Sequence, residues 1–299
     1  MNATNCCFDS CNPNLQPVPH AIFVSLHCIS SSLAVFGNII VLIAFGKTPS
    51  LHYTSNYFLV SLSVADLVVG LLISPLYIAI TTLQVWVSDH WLYLAENCLW
   101  IQTLMATTFS LAAVSIDRYL AITRVFDYAD IVTRDRCVRI IFSIWTASIL
   151  FGSTAYYTPK TYSSVLWTTC LVTTFGIPLI IICLCYYKIL KTARYHARQI
   201  ATTHTSDVNK RKECLRNNKA AFTIGIIIGC FVTLFTPSFI FACIELNAED
   251  KCRKLIIYRH WLWGIWVSYL SSAINPWIYA VRSIEFRKAM KRVVKCAWE

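Results

Sequence analysis

Charge is scarce in this chain. Asp, Glu, Lys and Arg make up 14% of its 299 residues, while 57% are apolar. An average soluble domain carries about 25% charge, so this composition excludes one and favours a membrane class. Several other features are missing. There is no glycine-rich phosphate loop, no cluster of metal-ligating side chains and no nucleophile beside a base, so nothing argues for an enzyme. Cys183-Leu184-Cys185 is a thiol pair inside an apolar run and reads as packing. The chain shows neither internal repeats nor broken helix pairs, which a transporter or channel would call for. Residues 1–19 lack the basic head and apolar core of a cleavable signal peptide.

Long apolar runs are present instead. A helix needs about 20 predominantly apolar residues to cross the hydrocarbon core. Seven runs qualify: 20–45, 54–80, 94–123, 138–158, 164–189, 220–244 and 261–281. They are continuous rather than alternating, which selects helices over a barrel. The expected fold class is an all-α membrane protein. An extracellular tail (1–19) precedes a seven-transmembrane helix bundle (20–281), and a short amphipathic eighth helix with a cytoplasmic tail (282–299) ends the chain.

The basic residues set its orientation. With the N-terminus outside, the inner segments 46–53, 124–139, 188–219 and 282–299 hold 20 of the 26 Lys and Arg. That positive-inside bias predicts a multi-pass plasma-membrane protein with an extracellular N-terminus. It also accounts for the net charge of +11 without nucleic acid, because the basic residues are spread over the inner loops. The cluster Lys210-Arg211-Lys212 suits anionic lipid or a partner protein. From Ser283 onward, Ile284, Phe286, Ala289, Met290, Val293 and Val294 oppose Arg287, Lys288, Lys291 and Arg292, so membrane lipid is an expected partner of an interfacial helix. Cys296 follows, either as a palmitoylation site or as an unmodified thiol. Asn2-Ala3-Thr4 is a glycosylation acceptor in the outer tail, at Asn2.

Two polar signatures stand at run ends: Asp117-Arg118-Tyr119 at the end of the third, and Asn275-Pro276-Trp277-Ile278-Tyr279 at the end of the seventh. Membrane helices keep ionisable and helix-breaking residues where they serve a cavity or a moving part. Others fall in order along the chain. Gly37-Asn38 lies in the first run, Leu62-Ser63-Val64-Ala65-Asp66 in the second and Trp145 in the fourth. Pro178 and Tyr186 lie in the fifth, Phe231 and Pro237 in the sixth, and Phe286-Arg287 after the seventh. Over residues 20–296 this set resembles the rhodopsin-like (class A) G-protein-coupled receptors, nearest to their melanocortin, adenosine and amine branches.

The resemblance implies an extracellular ligand, small molecule or peptide, whose binding activates a heterotrimeric G protein. It makes Asp117, Arg118, Tyr119, Tyr186, Asn275, Pro276 and Tyr279 the switch. Here the start of the sixth helix, Arg216-Asn217-Asn218-Lys219, offers no acid to latch Arg118. Either Asp117 and a hydrogen bond hold the guanidinium, or basal activity is appreciable. Asp66 with Asn38, Thr107, Ser271 and Asn275 reads as an allosteric sodium site, the one cofactor expected, or as a hydrogen-bonded network without an ion. The competing readings are a non-signalling decoy or chaperone-like seven-helix protein, and a transporter.

Two departures from the family pattern stand out. The usual disulfide ties the top of the third helix to the second outer loop, but that loop, about 158–164, holds no Cys. Cys98 lies too deep for it, so the expectation is that this bond is missing. Cys243 and Cys252 are the expected pair instead, alongside Cys6, Cys7 and Cys11 in the tail. Secondly, amine receptors carry an Asp 18 residues before the motif Arg, and here that position is Trp100. Glu96, one turn above, is either a substitute anchor or a solvated outer-end carboxylate. The seventh run lacks the Lys that an opsin needs for its Schiff base. The remaining expected pocket residues, Trp100, Leu104, Cys170, Thr174, Phe235, Phe239, Trp266 and Tyr269, are apolar and aromatic, which suits a neutral small molecule or a peptide side chain.

Overall fold

A computed structural model describes residues 14–85, 90–202, 208–248 and 250–298. The expected glycosylation site, Asn2, lies outside them. The described residues form helices and no strand. They are α1 (Pro17–Lys47), α2 (Thr54–Leu83), α3 (Trp91–Thr123) and α4 (Arg134–Tyr157). Next come α5 (Ser163–Cys170, Leu171–Gly176 and Ile177–Thr202 in one rod), α6 (Val208–Leu246), α7 (Lys251–Arg282) and α8 (Ile284–Trp298). A short helical turn, Tyr128–Ile131, lies between α3 and α4.

The first six helices are each long and apolar enough to cross a membrane. The seventh is not as apolar as expected. Its outer end carries Lys251, Arg253, Lys254 and Arg259, and its middle is rich in Trp, Ser and Asn. It needs less apolar surface because it packs along α6 on one side and α1 on the other. Several helices outrun their apolar stretches. α1 starts at Pro17, and α5 and α6 reach Thr202 and Val208, so most of the inner segment 188–219 is helical.

The core is mostly apolar, but it also hides polar groups, and the outer surface carries large apolar side chains. Asp66 is 1% exposed, and Asn38, Asn275 and a series of Ser and Thr are equally hidden, while Phe36 is 69% and Leu150 64% exposed. A bilayer solvates the latter and rejects the former. Buried polar side chains tie the rods together. Trp145 Nε1 donates to Ser61 Oγ at 2.9 Å, linking α4 to α2, and Ser61 meets Ser110 of α3 at 3.3 Å. Ser31 Oγ donates to the Gly70 carbonyl at 2.6 Å, linking α1 to α2.

Prolines shape the rods. Wide π-helical turns precede two of them: Val69–Ile73 before Pro75, and Leu171–Gly176 before Pro178. The extra residue in each turn makes room for a ring that cannot donate a backbone bond. Pro237 and Pro276 stay inside continuous helix.

The amphipathic α8 is present, but its apolar face is shared. Phe286 and Ala289 are buried, and the Phe286 ring lies 5.8 Å from that of Tyr279. The helix packs on α1 and α7. Ile284 and Val294 stay exposed, as does Cys296.

The cysteines correct one expectation. Cys252, in the first turn of α7, is disulfide-bonded, but Cys243 is a free, exposed thiol, so the two are not a pair. Helical geometry explains it: Ala242 and Glu245 face the bundle's cavity, which turns Cys243 outward. Cys98 and Cys170 are both free, as expected from the missing tie. Cys252→Ser should therefore lower surface expression, because losing a native disulfide costs about 2–5 kcal/mol. Cys98→Ser and Cys243→Ser should stay near parent level, as read by surface labelling of all three variants.

Gly152 lets α4 lie close against α3. A Cβ there would sit 2.7 Å from the Cys98 carbonyl oxygen and 2.8 Å from Gln102 Cβ. Gly152→Val should cost about 1–3 kcal/mol by overpacking, measured as a lower thermal midpoint of the purified protein. Gly46→Ala, where a Cβ meets nothing within 4 Å, is the neutral control.

Candidate functional site

Three polar or hollow regions line up along the bundle axis. The outermost is a cavity of about 90 Å³ between α2, α3, α5, α6 and α7. Glu96, Trp100, Leu104, Cys170, Thr174 and Phe239 all face it, as expected. Phe235, Trp266 and Tyr269 do not, and the reason is helical phase. On α7 the inward stripe runs Trp261, Ile265, Ser268, Ser272, Asn275, Tyr279, at spacings of three and four. Trp266 follows Ile265 and is turned by about 100° into a cluster with Phe23, Ile73 and Leu262. Tyr269 packs beside His27 and Tyr77, with ring centroids 6.3 and 5.9 Å away. Phe235 lies deeper on α6, its ring tilted against that of Phe231 with centroids 4.2 Å apart.

The cavity has further walls that no sequence motif singles out: Tyr77, Tyr93, Trp167, Tyr258, Trp261 and a second acid, Glu245. Some were within reach. Tyr77 continues the buried stripe Asp66, Gly70, Ile73 on α2, and Trp261 begins the stripe that ends at Asn275 and Tyr279. Trp167 gave no periodic cue, because the short outer loop hides where α5 begins. Glu96 is not a solvated end group. It is 2% exposed, with its Oε1 unpartnered among the described residues and Tyr77 beside it.

The middle region is the Asp66 carboxylate. Asn275 Nδ2 donates to its Oδ2 at 2.9 Å across α2 and α7, and Ser272 lies alongside. The expected membership needs correction. Ser271 turns away and donates to the Ser268 carbonyl at 2.8 Å. Asn38 reaches the Ala34 and Ser272 carbonyls, at 2.8 and 3.1 Å, rather than the carboxylate. Thr107 is buried on α3 without a hydrogen bond to Asp66. The direct pair is thus Asp66–Asn275, with Ser272 in the place assigned to Ser271.

The inner region is the mouth. Arg118 is 9% exposed, and its Nε donates to Asp117 Oδ2 at 2.8 Å. Its Nη2 donates to Ser55 Oγ of α2. Tyr128, from the short turn, donates to the other oxygen of Asp117 at 2.8 Å. Burial, and then the Asp117 charge, push the Tyr128 phenol above its ordinary value, so it stays protonated as the donor. Asp117 and hydrogen bonds from neighbouring elements therefore hold the guanidinium; Ser55, at the start of α2, and Tyr128, in the short turn, carry no sequence signal of this, since only packing brings them to the end of α3. Tyr119 points to α5, under the Lys188 ammonium at 5.3 Å and beside Ile189. Tyr186 packs its ring where a Cβ on Gly225 would stand, 3.1 Å away. Tyr279 is buried beneath Asp66, its hydroxyl unpartnered among the described residues. Pro276 sits against Gly37 of α1, 2.9 Å from where a Cβ would lie.

Known proteins show the same plan. The family profile described as "7 transmembrane receptor (rhodopsin family)" matches residues 37–279. The chain is 27% identical to trace amine-associated receptor 9 of Mus musculus, covering 98% of this chain and 89% of that one. It is 27% identical to the histamine H2 receptor of Rattus norvegicus, over 98% of this chain and 83% of that one. It is 26% identical to the 5-hydroxytryptamine receptor 1F of Cavia porcellus, over 95% and 96%. Helices, axial polar residues and family match agree: the chain belongs to the rhodopsin family of seven-transmembrane receptors, multi-pass membrane proteins that couple an extracellular ligand to G-protein activation, and it is a receptor rather than an enzyme.

Proposed function

We propose that this receptor sits in the plasma membrane with its N-terminus outside, takes a small molecule into the outer cavity, and activates a heterotrimeric G protein through Arg118 at the inner mouth. The observation that carries this is the hold on Arg118. Asp117, Ser55 and Tyr128 together keep an always-charged fork closed at the cytoplasmic end of α3. Such a fork serves as a switch when a rearrangement of the helices frees it for a partner. The size of the cavity favours a small ligand over a peptide: about 90 Å³ is room for roughly six to nine waters. Several relatives are named for amines, yet their expected counter-ion position is Trp100 here. The basic face of α8 and the exposed Ile284 and Val294 suit anionic lipid headgroups at the inner leaflet, where Cys296 could be palmitoylated.

Arg118→Ala should abolish G-protein activation while surface expression persists. Tyr128→Phe removes one hydrogen bond from the hold and should raise basal signalling about tenfold or more, since such a bond to a charged group is worth about 1.5–3 kcal/mol. G-protein dissociation in cells reads both, and unchanged signalling in Arg118→Ala would sink the mechanism.

The Asp66–Asn275 pair carries the sodium proposal. If an ion joins it, sodium favours whichever state binds it better, the inactive one. Raising sodium against a potassium control should then lower activity in the parent, and Asp66→Asn should lose that response. A salt response identical in both proteins would leave a plain hydrogen-bond network.

A further inference from the structure

Among the described residues, the outer cavity holds an acid with no counter-charge. Glu96 lines it, nine-tenths and more buried, with Oε1 unpartnered among the described residues. Glu245, in the last turn of α6, lines it too, and Tyr93 lies near both carboxylates. No Lys, Arg or His is among the lining residues. Tyr77 serves one Glu96 oxygen and the other has no donor among the described residues, and an ionised carboxylate held out of water in that setting costs several kcal/mol. A ligand that brings a positive charge removes that cost, and a neutral one does not.

The walls say which cation fits. Tyr77, Tyr93, Trp100, Tyr258 and Trp261 supply aromatic surface on the Glu96 side, and Trp167 meets Trp100 edge-on at 5.8 Å. Ring faces attract a cation within about 6 Å, and most strongly one that needs few hydrogen-bond acceptors. A primary ammonium has three N–H donors to satisfy beside one open Glu96 oxygen, whereas a methylated one presents its charge through C–H surface that the surrounding rings can match. The cavity volume limits the ligand to a compact molecule.

We infer that Glu96 anchors a compact N-methylated organic ammonium, held at the α2–α3–α7 side of the cavity in a cage of aromatic rings. The inference rests on the receptor reading above for its consequence in signalling, while binding itself rests on the cavity.

The test uses the full chain purified in lipid nanodiscs. The probes are 2-hydroxyethyltrimethylammonium, its neutral carbon isostere 3,3-dimethylbutan-1-ol, and the primary ammonium of ethanolamine. The trimethylammonium probe should raise the thermal midpoint with dose, the neutral isostere should not, and the primary ammonium should bind more weakly. Glu96→Gln should weaken the trimethylammonium probe at least about tenfold, Glu96→Asp should keep part of the affinity, and Glu245→Gln should have the smaller effect because that side chain is only half-buried. An unchanged ligand-free midpoint shows that a variant is folded. The inference is overturned if the neutral isostere binds as well, or if the primary ammonium binds better. It is equally overturned if folded Glu96→Gln keeps parent affinity, or if the trimethylammonium probe has no effect on the parent up to about 10 mM. G-protein dissociation, measured in parallel, separates the two readings. Binding without any coupling would leave the site standing and bring down the receptor mechanism. A neutral agonist that signals equally through parent and Glu96→Gln would do the reverse.

Discussion

A bilayer offers no water to a carboxylate or a peptide group, and the rest of this structure follows from that refusal. Backbone groups are satisfied within helices. Polar side chains that remain must meet one another, so Asp66, Asn275, Asn38 and the serines of α2, α3 and α7 converge on the axis. The apolar side chains are left to face lipid, which is why Phe36 and Leu150 are exposed in the isolated chain. Within the membrane span, the polar side chains that remain are thereby gathered along the axis, set among a core that is otherwise apolar.

That column has two ends with different jobs. At the outer end the polar groups are unsatisfied: Glu96 faces an aromatic cavity with an oxygen to spare. At the inner end they are nearly saturated, with Arg118 bound to Asp117 and Ser55, and Asp117 bound in turn to Tyr128. An open site above and a closed one below suit a protein whose ligand enters at one side and whose effector waits at the other. Between them lies the Asp66–Asn275 contact, on the helix whose inward stripe runs from Trp261 at the cavity to Tyr279. Wide turns before Pro75 and Pro178 interrupt the regular rods at the level where the cavity forms.

The family match and the departures from it belong together. Whole-length similarity to receptors named for amines comes with Trp100 in place of the expected Asp. The acid has not vanished from this cavity. It stands one turn higher, at Glu96, and again on α6, at Glu245. The change accompanies a different outer architecture, where the short connection between α4 and α5 holds no cysteine and Cys98 and Cys170 remain free.

The sequence by itself determined the helix count, the class, the inner placement of basic charge and the switch motifs. These follow from local composition, run length and residue spacing, which a bilayer reads almost one helix at a time. It could not determine the rotation of each helix about its own axis. A shift of one residue turns a side chain by about 100°, so Trp266 and Tyr269 were expected in the cavity that Trp261 and Ile265 line, and Ser271 was expected where Ser272 stands. Nor could it determine contacts between distant segments: Ser55 and Tyr128 on Arg118 and Asp117, Phe286 and Ala289 folded back on the bundle, and Cys252 bonded elsewhere than to Cys243. Those were decided only by tertiary packing, because each depends on which faces of separate helices meet once the polar groups have found one another.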